Sequence, residues 1–390
     1  MPSLIIICEV VFFASILGIF WAMVWYPIAL NILGKLYRHR HNIKDYTYRP
    51  NITVMVVAHN EESVILDKLN NLVKLRYPKR KLRFVIASDN STDNTNKIVR
   101  DFISNHKNMD IRIFNTKKRM GKTNAQNEAF LIVRGQILIM TDANSILKEN
   151  AITELTASFS SPDISYVTGR LVYINKESST TSKSETVYWD LDLSMREIES
   201  RIQTITAGNG ALYACRVSDY VHIRPIESHD SAFPVIFALQ SKRCIFNPDA
   251  IAYEKASIEV SDEFKRKIRM NRLLLAHMMP DIRILNIAKY KWFTVFYLSH
   301  RSSRYSLWLN HTLALVTNAI LANQSGVYCI IFVLQLIGYF MIIIGMLFRN
   351  SGRLQYLRHY GLTIAAQYVG VFNIWTGRAR PFWESSESSR

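Results

Sequence analysis

The chain has 390 residues, of which 49% are hydrophobic, and a formal net charge of +17. Basic proteins often bind nucleic acid, but the lysines and arginines here cluster beside long apolar stretches. That arrangement argues against nucleic acid and favours anionic lipid or a phosphate-bearing substrate as the partner. The four cysteines have no CxxC spacing, which argues against a zinc site. The composition therefore predicts a membrane-associated protein with a sizeable soluble part.

Three stretches without a charged residue are long enough to cross a bilayer core as a helix, which takes about 20 residues. They are residues 10–33, 306–326 and 327–348. We interpret the first as a membrane anchor, because no basic residue precedes it and aromatic residues stand where a cleavage site needs small ones. A cleaved signal peptide is the alternative.

Basic residues predict how the chain is oriented in the membrane. Lys35 and Arg38 directly follow the first apolar stretch, so that end is expected to face the cytoplasm. The weaker segment 360–377 either crosses the membrane or lies at its interface, since crossing would leave the arginines that follow it outside. Segment 290–305, rich in aromatic and basic residues, is predicted to be interfacial.

The chain is thus expected to have three parts. Residues 1–49 form a transmembrane helix with a basic juxtamembrane segment, 50–285 a cytoplasmic globular domain, and 286–390 a C-terminal interfacial and transmembrane region. We therefore expect a multi-pass protein of the cell membrane with its globular domain in the cytoplasm.

Short apolar runs alternate with helical patterns in the globular part. Residues 52–58, 82–88, 111–114 and 136–141 are predicted strands, because they are short, apolar and rich in β-branched residues. A helix is predicted after each of the first three, which is typical of an α/β protein with a parallel, doubly wound sheet. Ligands bind such sheets outside the carboxyl ends of the strands.

Polar residues stand where the predicted strands end. His59, Asn60 and Glu61 follow the first strand, Asp89 the second, and Asp142 the fourth. Asp89 could accept hydrogen bonds from a nucleoside, or serve the turn chemistry that Asp, Asn and Ser favour. Asp142, with the oxygen of Asn144 nearby, could hold Mg²⁺ or Mn²⁺; the alternative is a cap for the next helix.

Three further features suggest chemistry on an anionic substrate. Gly121 and Lys122 open a helix, a suitable anion site, although Lys122 could also be a solvated surface lysine. Asp230 precedes an apolar run and could take a proton from an attacking hydroxyl, or cap a helix. Arg266 and Arg269 share a helix face suited to phosphate, or to lipid head groups.

The order of these pieces resembles the family 2 glycosyltransferases, the inverting group that includes cellulose, chitin and hyaluronan synthases. The matching pieces are, in chain order, residues 56–62, 88–93, 121–127, 141–144, 188–200, 208–216, Asp230 and 266–269. The resemblance implies a GT-A-like domain with a parallel or mixed sheet. One N-terminal and two to three C-terminal transmembrane or interfacial helices would flank it.

The resemblance also implies a role for each matched residue. Asp230 would be the catalytic base, and Asp142 and Asn144 would hold the metal. The nucleotide sugar, a UDP-sugar being the expected donor, would be bound by Ala58, His59, Asn60, Glu61, Asp89, Gly121, Lys122, Asp142, Arg266 and Arg269. The acceptor would meet Trp189, Gly208, Asn209 and Gly210.

Two departures from the family pattern affect these expectations. Asn144 replaces the second acid of the DxD motif, which leaves an oxygen ligand without its charge. Met270 stands where processive synthases have a tryptophan, so the sequence gives no basis for processivity, and Trp189 is only a candidate replacement as an aromatic platform.

The expected function is transfer of a sugar from a nucleotide diphosphate sugar to a glycan acceptor, in synthesis of an extracellular or capsular polysaccharide. Two alternatives remain: transfer of a single sugar to a lipid-linked acceptor, and a non-catalytic membrane scaffold of an envelope assembly. A homo-oligomer or an export partner would be needed if the few spans do not form a channel by themselves.

Overall fold

A computed structural model describes residues 2–37, 44–175, 180–256, 259–347 and 354–382. The chain begins with one long apolar helical rod, in which α1 (Pro2–Phe20) and α2 (Tyr26–Leu36) are joined by a π-helical turn, Trp21–Trp25. The rod agrees with the predicted anchor. Its last turns pack on the globular domain, where Tyr26 and Leu30 contact Met195 and Ile198.

Eight strands of the described chain form one sheet. The strands are β1 (Ile52–Ala58), β2 (Leu82–Ser88), β3 (Asp110–Asn115), β4 (Ile137–Asp142), β5 (Ile146–Leu147), β6 (Ile164–Tyr173), β7 (Leu212–Arg216) and β8 (Arg243–Glu254). The helices among and after them are α3 (Ile65–Val73), α4 (Thr95–Asn105), α5 (Lys122–Ala129), α6 (Ala151–Ala157), α7 (Thr180–Ile202), α8 (His229–Leu239) and α9 (Val260–Met270).

The sheet is mixed, with strand order β3-β2-β1-β4-β7-β6-β8-β5. The half formed by β3, β2, β1 and β4 is parallel, as predicted. In the other half β7 runs antiparallel to both β4 and β6. The expected parallel or mixed α/β fold is confirmed, and the carboxyl ends of β1, β2 and β4 meet at one edge.

Both faces of the parallel half are covered, which explains why its strands are nearly continuous apolar runs. All seven residues of β1 are buried. Ile52, Val54 and Val56 pack toward α3 and α4, while Met55 and Val57 belong to the core under α5 and α8. Register is therefore fixed on both sides, and the strand ends that carry polar residues are held in place.

The C-terminal part is built from short and long helices. They are α10 (Leu274–Met278), α11 (Ile287–Tyr290), α12 (Trp292–Phe296), α13 (Ser303–Tyr305), α14 (Leu307–Leu321), α15 (Gly326–Leu347) and α16 (Leu354–Trp375). In the described residues, two helices are long and apolar enough to cross a membrane, Ser3–Leu36 and Gly326–Met346. The predicted span 306–326 is instead a 15-residue helix, α14, which packs along α1.

Most aromatic side chains of the segment predicted to lie at the lipid interface, 290–305, are buried in the protein. Phe293, Phe296 and Tyr297 are at most 3% exposed, because they pack on α7 and α8. The expectation of a lipid-facing surface was wrong for these rings. Apolar residues at helical intervals predict burial against protein as well as contact with lipid, and these rings are buried against protein.

The last helix lies along the globular domain. Lys267 Nζ of α9 lies 3.3 Å from His359 Nε2, and a Cβ on Gly370 would lie 2.7 Å from Asn271 Cβ. After α16 the chain reaches the sheet edge, where Arg272 Nη1 donates to the carbonyl oxygen of Pro381 at 3.2 Å. Segment 360–377 therefore packs on the globular domain as well as on α15, and its place relative to the membrane stays a prediction.

Candidate active site

Two loops at the ends of β1 and β2 are joined by hydrogen bonds. Asp89 N donates to the carbonyl oxygen of Ala58 at 2.9 Å, and His59 Nδ1 donates to the carbonyl oxygen of Asp89 at 2.7 Å. Asn60, at φ +53°, accepts from Thr92 N at 2.8 Å. Glu61 N donates to Thr95 Oγ1 at 2.8 Å. The residues predicted to bind the nucleoside thus lie in two loops that hydrogen bonds hold together.

Asp89 is 2% exposed and binds the next loop. Its carboxylate accepts from Met120 N at 3.0 Å and from Gly121 N at 2.7 Å. In this structure Asp89 therefore fixes the backbone that leads into Lys122, rather than presenting both oxygens to a ligand. Its predicted contact with a nucleoside stays a prediction.

Lys122, Asp142 and Asp230 converge around Gly210. Lys122 Nζ is ion-paired with Asp142 Oδ1. A Cβ built on Gly210 would lie 3.0 Å from Lys122 Nζ, 3.4 Å from Asp142 Oδ2 and 3.9 Å from Asp230 Oδ2. Two carboxylates and a lysine from β4, α8 and α5 thus surround one glycine, at the edge where the sequence predicted a site. The glycine is needed there because a side chain would fill the space between them.

We predict that Gly210→Ala lowers the turnover number by about 100-fold while the protein stays folded. The added methyl would push on the ends of two flexible side chains, and a displacement of about 1 Å at reacting groups can cost that much. Thermal unfolding and steady-state rates of the purified variant check this. Gly326→Ala is the control, since nothing lies within 4 Å of its Cβ position. A fully active Gly210→Ala would contradict the site.

Asp230 lies in the first turn of α8, after the N-cap residue Ser228. Its carbonyl oxygen accepts from Gly208 N at 2.8 Å, so the base candidate and the glycine segment are tied together. The neighbouring His229 is buried, with Nδ1 2.9 Å from Gln126 Oε1, and burial together with Lys122 lowers its pKa to about 3. His229 is thus neutral and joins α8 to α5 through its hydrogen bond to Gln126.

Three arginines, Arg266, Arg269 and Arg272, lie close to one another and near Asp142 and Asp230. Arg269 is half-buried, and burial with the charges of Arg266 and Arg272 lowers its pKa to about 10. Like charges held this close repel one another, and an anion bound among them would relieve the repulsion. This cluster from α9 and the turn after it fits a phosphate group.

Trp189 lies between Arg196 and Arg266, whose guanidinium carbons are 5.8 and 5.7 Å from its ring centre. Arg196 Nη1 also donates to the carbonyl oxygen of Gly208 at 2.5 Å. The structure therefore links Trp189 to both the glycine segment and the arginine cluster. The sequence named Trp189 and Arg266 but missed Arg196, whose signal was its position two helical turns after Trp189.

Asn209 has structural partners in this segment. Its Nδ2 donates to the carbonyl oxygen of Gly169 at 2.6 Å, and its Oδ1 accepts from Leu212 N at 3.2 Å. Gly208 is equally constrained, because a Cβ there would overlap the hydroxyl of Tyr166. The segment 208–210 is thus held by β6 and β7, and of its three residues Gly210 is the one at the charged centre.

The metal prediction fits the donor set at the end of β4. Asp142 and Asn144 offer a carboxylate and an amide oxygen two residues apart, both half-buried. The described residues hold no group of three or more His, Cys, Asp or Glu that could enclose a metal. Mg²⁺ needs no such cage, because it is commonly held by one or two carboxylates together with substrate phosphates and water.

Two ionisable residues behind Asp142 were missed by the sequence analysis. Lys68 is fully buried and donates to Thr141 Oγ1 at 2.9 Å and to the carbonyl oxygen of Ser145 at 2.5 Å. Glu254 accepts from the Ser145 hydroxyl. Together they hold both ends of the turn that carries Asp142. A lysine among the apolar positions of α3 was the signal that could have revealed this.

Burial lowers the pKa of Lys68 from 10.5 to about 7, against the opposing pull of Asp142 and Glu254. Between these values the unfolded chain binds a proton that the folded chain does not, so Lys68 makes stability rise with pH. We predict that Lys68→Met lacks this rise, and that its melting temperature relative to wild type falls from pH 7 to pH 9. A difference independent of pH would contradict this.

Comparison with known proteins agrees with this geometry. Residues 53–220 match the family model described as "Glycosyl transferase family 2", and residues 137–343 match the one described as "Glycosyl transferase family group 2". The second match covers more than half of the chain. The chain belongs to the family 2 glycosyltransferases.

Curated relatives differ in what they make. A probable glycosyltransferase, YdaM, of Bacillus subtilis is 31% identical over 36% of this chain and 35% of its own length. The poly-β-1,6-N-acetyl-D-glucosamine synthase of Staphylococcus epidermidis is 29% identical over 35% of this chain and 32% of its own. The β-monoglucosyldiacylglycerol synthase of a Nostoc species is 25% identical over 47% and 40%. The match thus spans only about a third to two fifths of these relatives.

One solved structure matches nearly the whole chain. It is the mannosyltransferase PcManGT from Pyrobaculum calidifontis in complex with GDP-Man and Mn²⁺, with a TM-score of 0.72 over 95% of this chain and 99% of that one. Its sequence is 18% identical, so the likeness establishes a shared fold. The shared fold includes the helices outside the sheet domain, because the overlap extends over almost the full length.

Proposed function

We propose that this protein is an inverting glycosyltransferase that moves a sugar from a nucleotide diphosphate sugar to an acceptor at the membrane surface. The observation that carries the proposal is the convergence of Lys122, Asp142 and Asp230 around Gly210. Such a transfer needs a base, a carboxylate that can bind a metal, and a cation. All three lie within one small space here. The family to which the chain belongs makes this reaction the first one to test.

In the proposed reaction Asp230 takes the proton of the acceptor hydroxyl, which attacks the anomeric carbon from the face opposite the diphosphate. A single displacement of this kind inverts the configuration at that carbon. Lys122, Arg266 and Arg269 supply positive charge for the departing diphosphate, a stabilisation that grows as the negative charge develops. Excluding water around them strengthens each of these interactions.

Asp142 and Asn144 would hold Mg²⁺ or Mn²⁺, which would act as a Lewis acid on the diphosphate. Before a donor binds, Lys122 neutralises Asp142 in an ion pair. The same lysine lies 3.4 Å from the carbonyl oxygen of Gly210, so it can turn toward an incoming phosphate without leaving the site. Support for a metal comes from this donor chemistry and from the Mn²⁺ in the PcManGT complex.

We place the active site at the cytoplasmic face of the cell membrane, as the basic residues after the first helix predict. A glycan acceptor fits a polymer-forming role like that named for the staphylococcal relative. A homo-oligomer or an export partner would then be needed. Helix α14 packs against both α1 and α15.

The second candidate is transfer of a single sugar to a lipid-linked acceptor, and an open groove favours it. The groove, of about 520 Å³, lies between the π-helical turn Trp21–Trp25 and the start of α14 and is open to the surface. Its lining combines Trp21, Trp25 and Leu17 with Ser303 and Asn310. An apolar wall with a few polar groups suits a lipid near its head group.

A panel of nucleotide sugars tests the proposal. The purified protein in lipid nanodiscs is incubated with UDP-, GDP- and other nucleotide sugars and either Mg²⁺ or Mn²⁺, and release of the nucleoside diphosphate is measured. Release with one donor that requires the metal supports the proposal, and product length then separates polymer from single transfer. No release with any donor would favour a non-catalytic scaffold.

A further inference from the structure

The last described residues, 378–382, return to the donor side of the sheet, and we call them the C-terminal strap. Helix α16 ends in a turn at Gly377, whose φ is +67°. Gly377 N donates to the carbonyl oxygen of Ile374 at 3.2 Å, and Arg378 N to that of Asn373 at 2.8 Å. This pair of bonds is a Schellman motif, which ends a helix and sets the direction of the chain after it.

The strap contacts the loop 119–121 in two places. Pro381 packs so closely that a Cβ on Gly121 would lie 2.6 Å from its carbonyl oxygen. Gly121 also has φ +98°, a backbone conformation that favours glycine. Both this conformation and the close contact with Pro381 therefore exclude a side chain at this position. Farther along, the guanidinium of Arg119 lies 5.1 Å from the ring centre of Phe382, a cation–π distance.

Arg272, a side chain of the arginine cluster, makes a third contact with the strap. Arg272 Nη1 donates to the carbonyl oxygen of Pro381 at 3.2 Å, while its Nη2 donates to that of Glu227 at 3.0 Å. Arg272 therefore joins the strap to the segment that leads into α8 and Asp230. The strap is thus contacted by two separate parts of the chain, loop 119–121 and Arg272, which argues for a defined position.

The loop 119–121 is thus held on two sides. Asp89 binds its amides from within, and the strap covers Gly121 from without. Lys122, which follows directly, begins α5 and reaches Asp142. The position of Lys122 therefore depends on a loop that the C-terminus helps to fix.

We propose that the C-terminal strap is a positioning element of the donor site, which clamps loop 119–121 so that Lys122 faces the diphosphate of the nucleotide. This inference rests on the proposed function, because it assumes that a nucleotide binds at this edge. Preorganising a loop raises affinity by removing the cost of ordering it on binding.

The test compares the wild-type chain with a variant that ends at Gly377 and with the point variant Phe382→Ala. Binding of UDP and GDP with Mn²⁺ is measured by calorimetry, and hydrogen exchange is followed in peptides that cover residues 116–122. Trp375→Ala is the matched control, an aromatic residue of the same chain end that is 71% exposed. Melting temperatures show whether each variant stays folded.

We expect the shortened chain to bind the nucleotide about tenfold more weakly, which corresponds to 1.4 kcal/mol, and to lose exchange protection at Met120 and Gly121. Phe382→Ala should show a smaller change in the same direction, and Trp375→Ala none. Unchanged protection and affinity would overturn the clamp, and tighter binding would make the strap an inhibitor instead. A wild-type chain that binds no nucleotide would overturn the proposed function itself.

Discussion

Asp230→Asn is expected to lower the turnover number by about 10²- to 10⁴-fold, the range that a positioned general base contributes. The amide keeps the size of the carboxylate but cannot take a proton from the acceptor hydroxyl. The backbone of residue 230 should stay in place, because its carbonyl oxygen still accepts from Gly208 N. Nucleotide affinity should therefore remain close to that of wild type.

The measurement pairs single-turnover transfer with calorimetric binding of the nucleoside diphosphate in one preparation. Asp101→Asn, an exposed aspartate on α4, is the matched control and should keep full activity. Wild-type transfer rates in Asp230→Asn would remove Asp230 from the role of base. Loss of nucleotide binding along with transfer would instead show that the substitution disturbs the donor site.

Asp142→Ala is expected to lower transfer by about 1,000-fold, because a metal acting as Lewis acid contributes several kcal/mol and each 1.36 kcal/mol is tenfold in rate. The variant should also lose the gain in nucleotide affinity that Mn²⁺ gives to wild type. Paramagnetic resonance of Mn²⁺ titrated in the presence of UDP or GDP reads this without any turnover.

Asn144 supplies an internal comparison for the same site. Asn144→Asp restores a second charge, so half-maximal activity should need less metal than in wild type, whereas Asn144→Ala should need more. Both substitutions leave Lys122 and its partner Asp142 unchanged. Identical metal requirements in all three proteins would contradict the assignment of Asn144 as a ligand.

The parallel half of the fold could be predicted because its signals are local. The strands β1 and β2 have the predicted bounds, since apolar residues covered on both faces form continuous runs that end abruptly in polar loops. The second half of the sheet was not predicted. The strand β5 has two residues, and β7 pairs antiparallel between strands from distant parts of the chain, which no local pattern specifies.

The residues of the site differ in the same way. Asp142 could be named as a candidate from its place at a strand end, whereas Asp230 was named through the family resemblance, because its spacing alone fits a helix cap. Lys68 and Glu254 could not, because their importance lies in bonds to the turn 141–145 that only the tertiary fold creates. The strap likewise depends on where α16 lies, and hydropathy alone left open whether that helix crosses the membrane.

The most direct test of the proposed mechanism is the configuration of the product at the anomeric carbon. Once the panel has identified a donor, proton NMR of the isolated product gives the anomeric configuration of the new linkage relative to the donor. A single displacement with Asp230 as base predicts inversion. Retention of configuration would contradict this mechanism, because it requires two displacements or attack from the face of the leaving group.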